Sequence, residues 1–343
     1  MPHYGKCIFT LTVRLVSGTI PAADRVQSGC NLNTEATLNT RTNLAGSALF
    51  VTHPYVDFVM KVRKIPSGDE KTLAEQSVVS FGGNAFTAAL CCNKLGLVPD
   101  VIGARANDIL ARMIEHWVAE SGVYWHPRLV RSTSYSVIFP SGDDRAMVRH
   151  RDEEYLQDFP LLNIDGCRLV HGDGLQCDAL LHYFDEARKR GILTSLDGGS
   201  LRPHMREILR RTDVAVVSLR LCQQMNTTPS GMLSYLRSLG CKVGGVTLGE
   251  QGMLWYEGRG SDSHLPALAV PSERIKDSNG VGDVFHGAYC WSYLQRPDIP
   301  WYQHFEFSRA AAAHKLQHFG NEAGLPSCDE VELAQTSFKE KAA

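Results

Sequence analysis

Beginning at Ala48, short apolar segments with strand character alternate along the chain with longer segments of helical periodicity. The strand-like segments are 48–51, 101–103, 167–171, 192–196, 214–217 and 243–248, and the clearest helical segments are 83–95, 109–120 and 179–190. Strands separated by helices of about ten or more residues are joined by crossover connections. These connections place the strands in a mostly parallel sheet with helices on both faces. The alternation therefore predicts an α/β fold with three layers.

Four further strand-like segments interrupt this alternation. They are 58–62, 72–79, 134–139 and 146–151, and the last two flank the turn-rich stretch 140–143. Turn residues between two such segments are typical of a β-hairpin. We therefore expect a small second sheet that projects from the core as a lid, with its strands at about 56–80 and 131–151.

The size and charge of the chain exclude some classes of function. It has 343 residues, of which 43% are apolar and 21% charged, and its formal net charge is −2. Such a chain supplies no general basic surface for nucleic acid or for an anionic membrane. It also contains no apolar run near the roughly 20 residues that a transmembrane helix needs. We expect a cytoplasmic protein that acts on a small molecule and binds neither nucleic acid nor membrane.

The ten cysteines indicate a reducing environment. No pair has the Cys-x-x-Cys spacing, and most of the ten lie in apolar stretches, which is typical of buried, reduced thiols. A zinc site or a disulfide framework is the alternative. We predict no residues that hold a metal directly.

Residues 1–46 differ from the rest of the chain. They are rich in Thr, Asn, Ser and Gly and show no sustained periodicity. We predict a disordered or weakly packed extension there, with a transit peptide as the alternative, and a single catalytic domain over 47–343.

The strongest chemical signal is the stretch 277–287, which reads DSNGVGDVFHG and precedes an apolar helical segment. Two glycines around one residue allow backbone N–H groups to converge at a helix N-terminus, where the helix dipole also favours an anion. An aspartate in the first turn, Asp283, lies beside that anion and is placed to accept the proton of an attacking hydroxyl. The alternative is an ordinary glycine-rich turn in which Asp283 is a favourable N-terminal acid.

This stretch resembles the C-terminal signature of the PfkB, or ribokinase-like, carbohydrate kinases, commonly Asp-Thr-x-Gly-Ala-Gly-Asp-x-Phe. The resemblance implies that Asp283 is the catalytic base and that Gly280, Val281 and Gly282 form the anion hole. Val281 replaces the usual alanine, and its larger side chain is expected to crowd the γ-phosphate. The family fold is a three-layer α/β/α sandwich with a mostly parallel central sheet and a β-sheet lid.

The resemblance continues on the nucleotide side. Residues 246–252, VTLGEQG, are similar to the family's nucleotide-side strand and turn, and 320–326, GNEAGLP, resemble the loop that closes over the nucleotide. By this resemblance the cofactors are ATP and Mg²⁺. The expected nucleotide-binding residues are Thr247, Gly249, Gly252, Asn279 and Asn321.

On the acceptor side, Asp57 follows the first strand, and Gly82, Gly83 and Asn84 open the first helix. The matching positions in the family hold sugar hydroxyls, whereas a solvated loop acid and a plain helix start are the alternatives. Period-two alternation places Arg145, Arg149 and Arg151 on one face of a lid strand. We hypothesise that Lys71 and Arg149 contact an acidic or phosphorylated acceptor; solvated lid charges are the alternative. The lid also implies a homodimer.

Two family motifs are altered. The usual Gly-x-Asp-x-x-Gly reads ANDILA at 106–111, and the Asn-x-x-Glu motif that helps to order magnesium reads SLRL at 218–221. We expect magnesium to be held mainly by ATP oxygens and water. Asp197 is expected to assist through solvent.

The expected function is ATP-dependent phosphorylation of a hydroxyl on a sugar or sugar-like acceptor. The wider pattern is similar to the sulfofructose-kinase-like branch, but the arginine that binds the sulfonate there aligns with Leu175, so a sulfosugar is not the leading acceptor. A nucleoside kinase is one alternative, with Phe58, Tyr135 or Phe86 as a platform for the base. A catalytically silent binding protein is the other.

Overall fold

The computed structural model describes residues 42–141 and 144–341. The predicted extension therefore lies almost wholly outside the described residues, as do Cys7, Cys30, the hairpin-turn residues Gly142 and Asp143, and the side chain of Arg145. The described fold begins before the predicted boundary, because Thr42–Asn43 pair in parallel with Leu162–Asn163.

The described chain alternates strands and helices. The strands are β1 (Thr42–Asn43), β2 (Ala48–Thr52), β3 (Tyr55–Lys61), β4 (Gln76–Gly82), β5 (Asp100–Arg105), β6 (Tyr124–Leu129), β7 (Tyr135–Ser141), β8 (Asp144–His150), β9 (Leu162–Asn163), β10 (Leu169–Gly172), β11 (Leu193–Gly198), β12 (Val214–Ser218), β13 (Val243–Thr247), β14 (Met253–Glu257) and β15 (Ser263–Leu265). The helices are α1 (Asn84–Lys94), α2 (Ile109–Ser121), α3 (Cys177–Lys189), α4 (Met205–Leu209), α5 (Leu219–Gln224), α6 (Pro229–Ser238), α7 (Val281–Gln295), α8 (Trp301–Leu316), α9 (Asn321–Gly324) and α10 (Cys328–Ser337).

A nine-stranded sheet forms the centre, in the order β15-β14-β13-β12-β11-β10-β2-β5-β6. Its strands are parallel except β14 and β15, which continue from β13 as an antiparallel meander. This confirms the mostly parallel sheet that the alternation predicted, and the predicted strands and helices are present with shifts of a few residues at their ends.

Both faces of the sheet are buried because successive side chains of each strand point to opposite sides. Phe50 of β2 packs into a core with α1, α2, α7 and α8, while its neighbour Leu49 packs into a second core with α3, α4, α5 and α6. These two cores confirm the predicted arrangement of three layers.

The lid is a separate four-stranded sheet in the order β4-β3-β7-β8. One predicted boundary is wrong: the second lid strand begins at Gln76, not at residue 72. The β3–β4 pairing closes at Lys61 opposite Gln76, and residues 63–75 form a largely exposed loop with a turn at Gly68–Asp69.

No helix within the described ranges is long and apolar enough to cross a membrane.

The eight cysteines of the described residues are free thiols, and six of them are buried. Burial raises the pKa of the buried thiols, for example that of Cys167 to about 11, so these groups stay protonated at neutral pH.

Candidate active site

The direction in which successive strands are added to the sheet reverses between β2 and β10. From β2 the sheet grows through β5 and β6 on one side, and from β10 it grows through β11, β12 and β13 on the other. In open α/β sheets ligands bind outside the carboxyl ends of the strands at such a switch point. The polar residues described below lie at these strand ends or on the lid above them.

Gly280 sets the geometry of the first turn of α7. Its φ of 74° lies in the left-handed region, and a Cβ at this position would collide with the side-chain amide of Asn321. Helix α7 starts at Val281, and no side chain caps it. A Cβ on Gly282 would meet no atom within 4 Å, so there is open space beside this turn. Because the first amides of a helix have no partner inside it and no side chain caps α7, this N-terminus is suited to an anion.

The loop before α7 is fixed by a buried ion pair. Asp277 accepts hydrogen bonds from the backbone N–H of Asn279 (2.8 Å) and of Gly320 (3.1 Å). The ammonium of Lys315, which is fully buried, lies 3.6 Å from the Asp277 carboxylate. These contacts join the two glycine-containing loops on either side of the anion hole.

Asp283 lies in the first turn of α7 and is half-buried. Burial, followed by the negative charges of Asp197, Asp57 and Asp173, raises the pKa of Asp283 to about 8, against the opposing charge of Arg149. A carboxylate with a raised pKa binds a proton more strongly than a free one, which suits it to act as a general base near neutral pH.

Asp57 lies on the inner face of the lid. In the pairing register Ser80, Asp57, Ser136 and Arg149 form one cross-strand row, so their side chains share a face. Asp57 is 3% exposed and accepts a hydrogen bond from the Asn279 side chain at 3.3 Å. Burial raises its pKa, and a Cβ on Gly82 would collide with its carboxylate, which explains the glycine at that position.

The start of α1 is held by two further aspartates. Asp173, which follows β10, accepts hydrogen bonds from the Thr52 hydroxyl and from the backbone N–H of Ala85, both at 3.2 Å. The Asn84 side chain donates to Asp197 at 3.0 Å. Gly83 has a φ of 102°, and a Cβ there would collide with the His53 carbonyl. The predicted Asn84 thus lies at the site, supported by carboxylates.

A buried chain of polar side chains runs behind this cluster. Ser195 bridges His171 (2.9 Å) and the hydroxyl of Tyr289 (2.8 Å), and Tyr289 bonds His286 at 2.8 Å. The other ring nitrogen of His286 lies 3.7 Å from Asp197. Burial lowers the pKa of His286 to about 3, so the imidazole is neutral, and burial raises that of Asp197 to about 6.

On the other side of the anion hole lies a mostly apolar cavity of about 670 Å³. Thr247, Gly249 and Gly252 line it together with Val281 and Gly282, as predicted for a nucleotide cleft. Its apolar walls include Leu265, Val270, Phe285, Ala313 and Leu316.

Two predicted nucleotide residues have other surroundings. Asn321 is buried and binds the lid strand β4, through its N–H to the Ser80 hydroxyl (2.9 Å) and through its side chain to the Phe81 carbonyl (2.7 Å). Asn279 points to Asp57. Neither residue is among those that line the cavity.

Several predicted side chains are not brought to the site. Lys71 is exposed in the loop between β3 and β4, which leaves the lid at Lys61, four residues beyond Asp57. Phe86 is fully buried in the core. Phe58 and Tyr135 pack against each other, 6.4 Å between centroids, on the lid face opposite Asp57. These three aromatic residues therefore do not form a platform over the cleft.

The altered motifs have structural roles. Asp108 caps α2 and also accepts the Thr133 backbone N–H at 2.8 Å, which ties α2 to the segment entering the lid. Ser218 caps α5 and donates to the Gly199 carbonyl at 2.9 Å. No cluster of three or more His, Cys, Asp or Glu side chains suited to a metal is found in the described part of the chain.

Sequence reasoning missed Asp173, which follows β10, and Arg202, which lies in the loop after β11 and within electrostatic reach of Asp173. Both lie outside a recognisable motif and come together only because parallel strands end at one edge of the sheet. Asp197, which is predicted to assist through solvent, accepts a hydrogen bond from Asn84 and lies 3.7 Å from His286.

Comparison with solved structures defines the class of the fold. The ribokinase of Thermotoga maritima aligns with a TM-score of 0.70 at 19% identity, covering 85% of this chain and 99% of that one. The ribokinase of Arabidopsis thaliana complexed with ribose and ATP aligns with a TM-score of 0.69 at 18% identity, covering 85% and 99%. The protein therefore has the ribokinase fold.

The sequence comparison identifies the family. Residues 48–328 match the model of the pfkB family carbohydrate kinases, so the chain belongs to that family and is a phosphotransferase. It is also 24% identical over 304 residues to a nucleoside kinase of Methanothermobacter thermautotrophicus, which covers 82% of this chain and 93% of that protein.

Proposed function

We propose that the protein transfers the γ-phosphoryl group of ATP to a hydroxyl of a sugar or sugar-like acceptor. The observation that carries the proposal is the position of Asp283, in the first turn of a helix whose amides are free, between a nucleotide-sized cavity and a polar cluster. The ribokinase of Arabidopsis thaliana, complexed with ribose and ATP, supports the choice of both substrates.

The proposed chemistry needs one proton transfer and one phosphoryl transfer. Asp283 accepts the proton of the acceptor hydroxyl, the hydroxyl oxygen forms a bond to the γ-phosphorus, and the bond from that phosphorus to the bridging oxygen of ADP breaks. The backbone N–H groups from Gly280 to Gly282 stabilise the charge on the transferred group. Asp57 and Asn84 orient the acceptor.

The residues present fit magnesium only as a partner of the nucleotide. Ser218 and Leu221 stand where the carboxamide and the acid are usual, and Asp197 is the carboxylate of the cluster that is expected to assist. When bound, magnesium would neutralise phosphate charge, held chiefly by phosphate oxygens and water. Asp197 would contact its water shell.

The test is acceptor-dependent release of ADP from ATP, screened over aldoses, ketoses, sugar acids and nucleosides. Asp283→Asn should lower kcat by about 10²- to 10⁴-fold, the contribution of a general base. Asp298→Asn, an exposed acid beyond the other end of α7, is the matched control and should retain activity. Acceptor-dependent ADP release that survives Asp283→Asn contradicts the assignment. Saturable binding of ligand by the native protein without ADP release favours a binding protein.

A nucleoside acceptor is the second candidate. It is favoured by the 24% identity to the archaeal nucleoside kinase over most of both chains. In the same screen, turnover of nucleosides above that of free pentoses and hexoses supports it.

We also propose that the lid joins two copies of the chain in the cytoplasm. Its outer face carries the apolar cross-strand row Val79, Phe58, Val137 and Val148, and Val148 is 69% exposed. A contiguous apolar row on an outer sheet face is suited to a second copy. Light scattering should give a dimer for the native chain and a monomer for Val148→Asp. A native monomer contradicts this.

A further inference from the structure

Buried polar atoms without partners collect on the acceptor side of the cleft. Among the described residues, no hydrogen-bond partner is found for the hydroxyl of Tyr55, Nδ1 of His53, Nε of Arg202 or Oδ1 of Asp57. Tyr55, His53 and Asp57 are each at most 3% exposed. Because buried polar groups are nearly always hydrogen-bonded, such a group of them indicates that a polar ligand completes the set.

Three arginines surround this group. Arg149 lies in the same cross-strand row as Asp57, and its guanidinium is 4.5 Å from the centre of the Tyr55 ring. Arg151 follows directly after the end of β8 and lies within electrostatic reach of His53 and Tyr55. Arg202 comes from the loop after β11 and passes Gly174 at the floor of the cleft, with its Cγ 3.7 Å from where a Cβ on Gly174 would lie.

The electrostatics agree with this placement. Burial lowers the pKa of Arg202, and the positive charges of Arg151 and Arg149 add to that effect while Asp173 opposes it. Burial lowers the pKa of His53 to about 3, with Arg151, Arg149 and Arg202 contributing. The three arginines therefore lie within electrostatic reach of one another and of the unpartnered atoms.

Most of the positive charge of these three arginines is not paired with a protein carboxylate. Arg151 pairs with Glu153 at 2.8 Å, whereas neither Arg149 nor Arg202 has an ion pair within the described ranges. Asp173 lies nearby, but its oxygens are taken up by Thr52 and by the backbone N–H groups of Ala85 and Leu175. Asp57 and Asp173 lie within electrostatic reach of Arg149 and Arg202, but neither carboxylate is at ion-pair distance, so an anionic group of a ligand would supply the missing direct contact.

We propose that the acceptor carries an anionic group at the end remote from the phosphorylated hydroxyl, and that Arg149, Arg151, Arg202 and the Tyr55 hydroxyl bind this group. A phosphate ester, a carboxylate and a sulfonate share the required chemistry. The acceptor hydroxyl then lies toward Asp57 and Asp283. This inference rests on the proposed function and names the class of its acceptor.

The experiment compares matched acceptors that differ in one anionic group. The pairs are ribose and ribose 5-phosphate, fructose and fructose 6-phosphate, fructose and its 6-sulfonate analogue, and glucose and gluconate. ADP release is measured for the native protein and for Arg202→Gln, Arg202→Lys and Arg63→Gln. Arg63 is the matched control, since it is an exposed lid arginine paired with Glu75 outside the cleft.

In at least one pair, kcat/KM should be ten or more times higher for the anionic member. Arg202→Gln should raise the KM of that member by about 10- to 100-fold, the range for a hydrogen bond to a charged group, and should change the neutral member by less than about threefold. Arg202→Lys should restore part of the loss, and Arg63→Gln should behave as native. The preferred pair distinguishes phosphate, carboxylate and sulfonate.

Equal or better use of the neutral member in all four pairs overturns the inference. So does an equal rise of both KM values in Arg202→Gln. Calorimetry measures acceptor binding to the Asp283→Asn variant, which should bind the acceptor without turning it over. This measurement separates the inference from the proposed function. Tighter binding of an anionic member without any ADP release by the native protein would support the anion subsite and contradict the kinase chemistry. Binding no tighter for any anionic member overturns the subsite alone.

Discussion

The two halves of the cleft, on either side of Asp283, differ in the chemistry of the residues that line them. The proposed nucleotide side is a mostly apolar cavity of about 670 Å³, which Thr247, Gly249 and Gly252 help to line. The acceptor side is lined by charged side chains from the lid, from β10 and from the loop after β11, and several of their buried atoms have no partner. The two sides meet at the free amides of α7.

This difference indicates how one fold serves many acceptors. Backbone groups and apolar walls suit a nucleotide that every member of such a family would share, and they depend little on side-chain identity. Charged side chains on separate loops can be exchanged without altering the sheet, so the acceptor side is where specificity is expected to reside.

The largest expected effect comes from the buried ion pair that holds the loop before α7, where the two sides meet. Lys315→Met removes the buried ammonium beside Asp277 and leaves that carboxylate without its counterion. The free energy of unfolding should fall by about 3 to 5 kcal/mol, the range for breaking a buried pair. Urea denaturation at neutral pH measures this.

The control is Lys64→Met, which breaks the exposed pair with Glu70 and should cost about 1 kcal/mol or less. Similar losses for both variants would mean that the buried pair does not support the two loops.

An intermediate effect is expected on the acceptor side alone. Asp57→Asn removes a carboxylate whose Oδ1 has no protein partner, so a bound hydroxyl should lose a charge-assisted hydrogen bond. The KM for the acceptor should rise by about 10-fold or more, while that for ATP changes by less than about twofold. Steady-state kinetics with each substrate varied in turn give both values.

Asp69→Asn, an exposed acid of the lid loop, is the control and should change neither KM. An equal rise of both KM values in Asp57→Asn would contradict the comparison, because it would mean that the two halves of the cleft do not bind their substrates independently.

The smallest effect is expected on the nucleotide side. Gly249 has a φ of 63°, lines the cavity and has open space around a built Cβ, so Gly249→Ala should cost only the strain of a left-handed alanine, about 1 to 2 kcal/mol. Because this strain is present with and without ATP, the KM for ATP should rise by only about threefold or less, with the acceptor KM unchanged.

Gly258→Ala is the matched control. Gly258 has a φ of 57° and equally open surroundings but does not line the cavity. An effect of Gly258→Ala on the KM for ATP equal to that of Gly249→Ala would show that the change acts through the fold and not through the cavity.

The difference between the two halves of the cleft also explains which residues of the proposed site could be predicted from the sequence. Gly280, Gly249 and Gly252 could be singled out from the sequence because their positive φ demands glycine, which leaves a local pattern. Asp283 could be singled out because it completes that pattern, and its role as the base stays a prediction. The alternation of segments predicted the three layers, since crossover connections dictate a parallel sheet.

The rest of the site has no local signal. Arg202 and Asp173 follow different strands and meet only at the sheet edge. Lys71 was predicted from its proximity to a lid strand, but that strand begins at Gln76 and the lysine is exposed in the loop. Asn321 was assigned to the nucleotide by its motif, whereas its amide binds the lid strand β4. The direction in which each of these side chains points depends on tertiary packing.

The raised pKa of Asp283 gives opposite signs for stability and for activity. In the folded chain it is raised from 3.8 to about 8, so the folded state holds a proton that the unfolded state has released. The stability from this proton is fully present below about pH 4 and is lost as the pH rises through about 8. A catalytic base, however, acts only when deprotonated, so activity should grow across the interval in which stability falls.

The most direct test of Asp283 as the base is the pH dependence of kcat/KM for the best acceptor between pH 6 and 9.5. We expect the rate constant to rise with pH and to level off above an apparent pKa near 8 that belongs to the coupled cluster of carboxylates. A profile that is flat over this range, or that falls as the pH rises, would contradict the assignment of Asp283 as the group that takes the proton.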